Sequence, residues 1–81
     1  MTKHVFEVYW ETKTSRGVRR YSRAFPHEIT AVPFFAAKKG QPSTARAFVR
    51  EVELAANDRG RIVDARTVNI LCTFNINFSR I

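Results

Sequence analysis

Apolar and polar residues alternate along residues 4–13 of the chain. Phe6, Val8 and Trp10 fall on one side of an extended strand, with mostly polar residues between them. This period of two, with β-branched and aromatic residues, predicts a β-strand. Turn-forming residues follow at 14–17, and residues 18–25 predict a second strand that ends before Pro26, which has no backbone N–H to donate. The start of the chain therefore predicts a β-hairpin.

The centre of the chain shows helical spacing. Apolar residues recur at intervals of three and four between Ser43, a good N-terminal cap, and the helix breaker Gly60. These residues are Ala45, Phe48, Val49, Val52, Ala55 and Ala56. The spacing predicts an amphipathic main helix over residues 44–58. Before it, residues 28–40 fit either a short helix, capped by Thr30 and Gly40, or a structured loop.

The end of the chain carries the longest alternation. Every second residue is apolar in the series Val68, Ile70, Cys72, Phe74, Ile76 and Phe78. This series predicts a long strand with one fully buried face. Ile62 and Val63 begin a shorter apolar run, and residues 64–67 fit either a turn between two strands or a bend within one.

These elements predict an α+β fold in a single domain over residues 1–81. The sheet would be small and antiparallel, built from the N-terminal hairpin and one or two C-terminal strands. The main helix, with a short second helix if residues 28–40 are helical, would pack on one face of that sheet, because each element has one apolar face to bury.

Composition adds a partner class to this fold. The chain has 81 residues, of which 44% are hydrophobic, including seven Phe, so it is not a disordered basic tail. Its net charge is +7 and its pI is about 10.6. This balance favours nucleic acid, an anionic membrane or an acidic protein surface as partner, although a basic surface also simply keeps a small protein soluble.

Candidate catalytic and metal-binding residues lack the spacing that such sites need. His4, His27 and Cys72 are far apart, and Cys72, on the apolar alternation, is expected to be a small buried hydrophobic residue. Glu51 and Glu53, two residues apart on the predicted helix, would point in different directions. We therefore expect no enzyme activity, no metal and no cofactor.

Cysteine usage and the N-terminal sequence predict a location. A single cysteine excludes an internal disulfide framework and a multi-cysteine zinc site, which favours a reducing compartment. The first residues lack the apolar core of a signal peptide, and no apolar run approaches the ~20 residues that span a bilayer. We expect a cytoplasmic protein that does not bind membranes.

The hairpin concentrates the positive charge of the chain. No acidic residue lies between Glu11 and Glu28. The candidate residues for an anionic partner are Lys13, Arg16, Arg19, Arg20, Tyr21 and Arg23, with Tyr9 as a further stacking candidate. The alternative is a solvated strand whose arginines pair with Glu7 and Glu11 across the hairpin.

The second strand of the hairpin has two possible orientations. In one, Phe25 joins the core. In the other, Val18 and Ala24 face inward, and Arg19, Tyr21 and Arg23 form the contact row. We favour the second orientation.

The polar face of the last strand is a possible secondary surface. Its residues are Asn69, Thr73, Asn75 and Asn77. Asn is a poor strand former, so this face is either an uncharged partner surface or an ordinary solvated one. A long strand of low charge also invites edge pairing, which predicts a homodimer through the C-terminal strand.

Two resemblances bear on function. The hairpin-then-helix pattern of residues 4–57 resembles the small arm-binding modules of tyrosine recombinases, which implies a basic sheet that enters the major groove. The small size, the α+β pattern and the lack of catalytic signal are similar to accessory proteins of phages and mobile elements. The first reading is a non-enzymatic protein that engages nucleic acid or a nucleic-acid-handling complex through the Arg-rich hairpin. The alternative is a host-takeover or anti-CRISPR type inhibitor that binds a host protein.

Overall fold

The computed structural model describes residues 2–75, and the N-terminal hairpin lies where the alternation predicts it. Strand β1 spans Thr2–Thr14, and strand β2 spans Gly17–Phe25. They pair without a register shift, from Phe6 opposite Phe25 to Thr14 opposite Gly17. The Thr14 hydroxyl donates to the Gly17 carbonyl oxygen at 2.8 Å. Gly17 has a φ of +127°, a value that side chains disfavour, so the turn depends on glycine.

Residues 28–39 are helical, which decides between the helix and the loop predicted for this segment. Helix α1 spans Glu28–Lys39 and begins after His27 rather than at Thr30. The predicted Thr30 cap is therefore wrong; its hydroxyl instead donates to the His27 carbonyl oxygen at 2.9 Å. Gly40 ends the helix as predicted, and its N–H donates to the Ala36 carbonyl oxygen at 3.1 Å.

The predicted main helix at 44–58 is wrong, because this segment is strand β3, Thr44–Ala56. β3 lies inside the sheet, whose strand order is β2-β1-β3-β4. Its neighbours Phe48 and Val49 point to opposite faces, and both faces are at least partly buried. A strand that packs apolar residues on both sides loses its alternation, and here the remaining pattern coincides with helical spacing. The fold is α+β, but with four strands and one described helix, and the helix that follows the hairpin is α1 and not residues 44–58.

Strand β4 is a single strand, Ile62–Asn75, so residues 64–67 lie within it. Its pairing with β3 shifts at three places, which leave Leu71, Val68 and Val63 as extra residues on β4. Each such bulge moves the following side chains to the other face. The predicted buried face is therefore wrong for Val68 and Ile70, which are 41% and 50% exposed. Ile76 and Phe78 lie outside the described residues.

The core lies between α1 and one face of the sheet, the helix-side face, to which Phe6, Val8 and Trp10 of β1 contribute. The central cluster is Val8, Ala31, Phe35, Ala47 and Val49. Cys72 is partly buried and packs against this cluster with Phe74. No helix or strand of residues 2–75 covers the opposite face, which we call the open face and which carries Glu7, Tyr9 and Glu11.

Candidate functional site

Strand β2 is an edge strand, and the residues predicted for the site are exposed on it, in the turn before it and at the end of β1. Among the strands of residues 2–75, β2 pairs with β1 alone. The exposed set is Lys13, Arg16, Arg19, Arg20, Tyr21 and Arg23. The structure therefore gathers these six residues on one hairpin, with Arg16 in the turn.

The acidic residues of the hairpin are engaged by strand β3 and not by the arginines of β2. Arg50 Nε donates to Glu7 Oε1 at 2.7 Å. Glu11 accepts a hydrogen bond from the Tyr9 hydroxyl at 2.6 Å and lies 3.9 Å from Arg46 Nη1. Over the described part of the chain, neither Lys13 nor any arginine of the β1–β2 hairpin forms an ion pair. The alternative in which these arginines are neutralised across the hairpin is therefore wrong.

The orientation of β2 is the reverse of the one that the sequence favoured. Phe25 lies opposite Phe6 and packs against the core, with its ring 5.1 Å from that of Phe34. Val18 is 53% exposed on the open face. The preference for Val18 and Ala24 inward is therefore wrong. Arg19, Tyr21 and Arg23 share the helix-side face, where they extend along the edge of the core.

Tyr21 belongs to an aromatic cluster at this edge. Its ring stacks on Trp10, the residue directly opposite, with a centroid distance of 5.4 Å and an interplanar angle of 18°. Trp10 in turn meets the edge of Phe34 from α1 at 5.3 Å. The helix therefore fixes Trp10, and Trp10 fixes the ring plane of Tyr21, which is itself 41% exposed.

Two cations border the aromatic cluster. Arg23 Cζ lies 5.1 Å from the Phe25 ring and 5.3 Å from the Phe34 ring. Lys38 Nζ, from the last turn of α1, lies 4.9 Å from the Trp10 ring and 5.2 Å from the Phe34 ring. Contacts of this kind stabilise a positive charge beside a ring and restrict its position. Positive charge and aromatic surface therefore lie side by side at the β2–α1 edge.

Tyr9 lies on the open face and not beside Tyr21. Its ring stacks on Phe48 at 4.9 Å. The hydrogen bond to Glu11 raises the pKa of the Tyr9 hydroxyl, burial and the Glu11 charge add to this, and Arg20 and Arg46 oppose it. Tyr9 is thus committed to Glu11 and Phe48, and its prediction as a stacking partner on the same surface as Tyr21 is wrong.

The bulges of β4 divide the predicted secondary surface. Thr73 lies opposite Phe48, and Asn75 lies opposite Arg46, both on the open face. Asn69 lies opposite Glu51 and so belongs to the other face. Asn77 lies outside the described residues. These residues do not form one continuous row, while pairing of the C-terminal strand with a second copy stays a prediction.

A charged cluster lies at the end of the sheet remote from the β1–β2 turn. His4 Nδ1 lies 2.5 Å from Glu51 Oε2, and His4 Nε2 lies 3.4 Å from Glu53 Oε2. Arg66 Nη2 pairs with Glu53 Oε1 at 2.9 Å. The hydrogen bond to Glu51 raises the pKa of His4, the two carboxylate charges act in the same direction, and desolvation opposes them.

The raised pKa of His4 predicts a pH dependence of stability. Its contribution is fully present below the usual pKa of 6.5 and is lost as the pH rises through the higher folded-state value. We expect His4→Ala to lower the urea midpoint more at about pH 5.5 than at about pH 8.5. His27→Ala is the matched control, since His27 makes no side-chain capping hydrogen bond. An equal loss at both pH values would contradict the assignment.

Some residues at the site are not evident from the sequence. In the sequence, Lys38 indicates only the end of a helix, and Trp10 indicates only a position in the core. The helical spacing places Arg46 and Arg50 on a predicted helix, so it gives no indication that they pair with the hairpin acids. The one available signal is the excess of basic over acidic residues, which does not indicate which basic residue pairs with which acidic residue.

Comparisons with known proteins give no relative for this chain: no protein-family model, curated protein or solved structure matches it. Within residues 2–75, no three His, Cys, Asp or Glu side chains are grouped as ligands for a metal ion. The helix of the described region lacks the length and apolar character needed to cross a membrane.

Proposed function

We propose that this chain is a non-enzymatic binding protein that engages nucleic acid, or a nucleic-acid-handling complex, through the arginines of the β1–β2 hairpin. One observation carries the proposal: Glu7 and Glu11 are engaged by β3 and Tyr9, which leaves the positive charges of the hairpin without internal counterions. Unpaired arginines held on a strand are suited to an external anion.

The spacing of these charges fits a phosphate backbone. Arg19 and Arg23 are four residues apart on one strand, which corresponds to roughly 13 Å. Arg16 in the turn and Lys13 on β1 extend the positive surface along the hairpin. A guanidinium group can donate two parallel hydrogen bonds to the oxygens of one phosphate. Release of counterions from the nucleic acid adds a favourable entropy of binding. A repeating anion therefore matches this surface better than a single small anion.

Removing two of these charges tests the proposal. Arg19→Ala/Arg20→Ala is expected to lower affinity for nucleic acid and to reduce the slope of log affinity against log salt by about 1.4–1.8, at roughly 0.7–0.9 for each phosphate that is no longer neutralised. The measurement is fluorescence anisotropy of labelled random-sequence DNA and RNA oligonucleotides over a salt series. Arg20 and Arg19 make no ion pair in the described region, so the fold is expected to survive the change.

Arg59→Ala/Arg61→Ala is the charge-matched control. Both residues lie by the β3–β4 turn at the opposite end of the sheet, and the hydrogen bonds shown for them are made by backbone atoms. The control is expected to keep the wild-type slope. Equal effects of the two double variants would contradict the proposed site. If the chain binds neither the DNA nor the RNA oligonucleotide but forms a stable complex in nuclease-treated lysate, the result would support the alternative function, an inhibitor that binds a host protein.

A further inference from the structure

The exposed face of Tyr21 points away from the sheet. The Trp10 ring, on the neighbouring strand, covers one face of Tyr21 in a nearly parallel stack. Because β2 is the edge strand, the second face of the Tyr21 ring is directed off the edge. Among residues 2–75, no other ring and no cation lies against Tyr21. The stack of Trp10 and Tyr21 therefore ends in a free aromatic face.

Positive charge flanks this free face on both sides. Arg19 and Arg23 lie two residues before and after Tyr21 on the same face of β2. Each is roughly 7 Å from Tyr21 along the strand, at about 3.4 Å per residue. Arg20, by contrast, lies on the open face beside Glu11. The helix-side edge of β2 thus alternates cation, ring and cation.

We infer that the hairpin binds single-stranded nucleic acid, with one base stacked on the free face of Tyr21 and the adjoining phosphates on Arg19 and Arg23. This inference rests on the proposed function and adds the class of nucleic acid. Stacking on an aromatic side chain is available to any base whose own face is free, as in a single strand. In a duplex the base faces are covered by neighbouring pairs, so Tyr21 has no surface to meet.

The supporting residues favour a preformed platform. Phe34 and Lys38 from α1 contact Trp10, and Trp10 sets the plane of Tyr21. A ring already held in position loses little side-chain freedom when a base stacks on it. Lys38 also lies near enough to the cluster to add positive charge on the helix side.

The test replaces the ring and keeps the apolar bulk. Tyr21→Leu is expected to lower affinity for a labelled single-stranded oligonucleotide between about five-fold and about 150-fold, the effect of losing one stacked base. Affinity for a duplex of the same sequence is expected to stay within about two-fold. That retained duplex affinity of Tyr21→Leu separates loss of stacking from loss of fold. Tyr21→Phe, which retains the ring, is expected to bind the single strand as the wild type does.

A second experiment tests which face of β2 binds the strand. Arg19→Ala is expected to weaken single-strand binding more than Arg20→Ala, because only Arg19 shares the face of Tyr21. If Tyr21→Leu or the choice of arginine makes no difference while the Arg19→Ala/Arg20→Ala double variant still weakens binding, the single-strand inference is overturned and the proposed function stands. If the double variant binds as the wild type does, both are overturned.

Discussion

Replacing Phe35 by alanine is expected to lower the free energy of unfolding by about 3–5 kcal/mol. Phe35 is 4% exposed and belongs to the cluster that joins α1 to the sheet, with Val8, Ala31 and Val49. For a chain of 81 residues the whole stability is roughly 4–12 kcal/mol, so this one side chain accounts for a large part of it. Urea unfolding followed by far-UV circular dichroism measures the change.

Ile29→Ala is the control on the same helix. Ile29 is 81% exposed, so its truncation leaves no cavity and is expected to change the unfolding free energy by no more than about 0.5 kcal/mol. Similar losses for the two variants would mean that α1 is not packed on the sheet through Phe35. That result would also remove the support of Phe34 for the Trp10–Tyr21 stack.

Raising the salt concentration from about 50 to 200 mM is expected to reduce the affinity of the wild-type protein for single-stranded nucleic acid by about 100-fold. If Lys13 and the four arginines of the hairpin each contact a phosphate, a coefficient of about 0.7 per contact gives a log–log slope near −3.5. A fourfold rise in salt then produces the stated loss. Anisotropy titrations at several salt concentrations measure the slope directly.

Two controls make the salt experiment decisive. The urea midpoint of the free protein at both salt concentrations shows whether the fold is intact at each. The Arg59→Ala/Arg61→Ala variant is expected to retain the full slope, since its altered side chains lie by the other turn. A slope near zero in the wild type would show that the bound strand is held without phosphate contacts, contrary to the proposal.

The hairpin was predictable from the sequence, whereas strand β3 was not. In β1, Phe6, Val8 and Trp10 face one side and mostly polar residues face the other, so period two is visible. In β3, both faces are partly buried, and Phe48 and Val49 are consecutive apolar residues. Once both faces of a strand carry partly buried apolar residues, local pattern no longer separates strand from helix, and only the pairing partners decide.

The site was predictable as a set of residues but not as a surface. The excess of arginine over acid in the hairpin is visible in the chain itself. Which face holds Arg19 and Tyr21 depends on Phe25, and Phe25 is drawn inward by Phe34, a residue of the next element. Likewise the bulge at Leu71 puts Ile70 on the open face. No local feature of the sequence predicts that Leu71 is left without a partner on β3.

The two edge strands of the sheet in residues 2–75 differ in the regularity of their pairing. On β4, three bulges interrupt the regular row of backbone donors and acceptors, an irregularity that is built into the backbone. On β2 the row is unbroken, and repulsion between its like-charged side chains opposes pairing with a second β2. The backbone irregularity of β4 does not depend on the salt concentration. The repulsion between the charged side chains of β2, by contrast, is screened by ions and is neutralised by a bound polyanion. The edge proposed for binding is thus also the edge whose resistance to self-association depends on the ionic conditions around it.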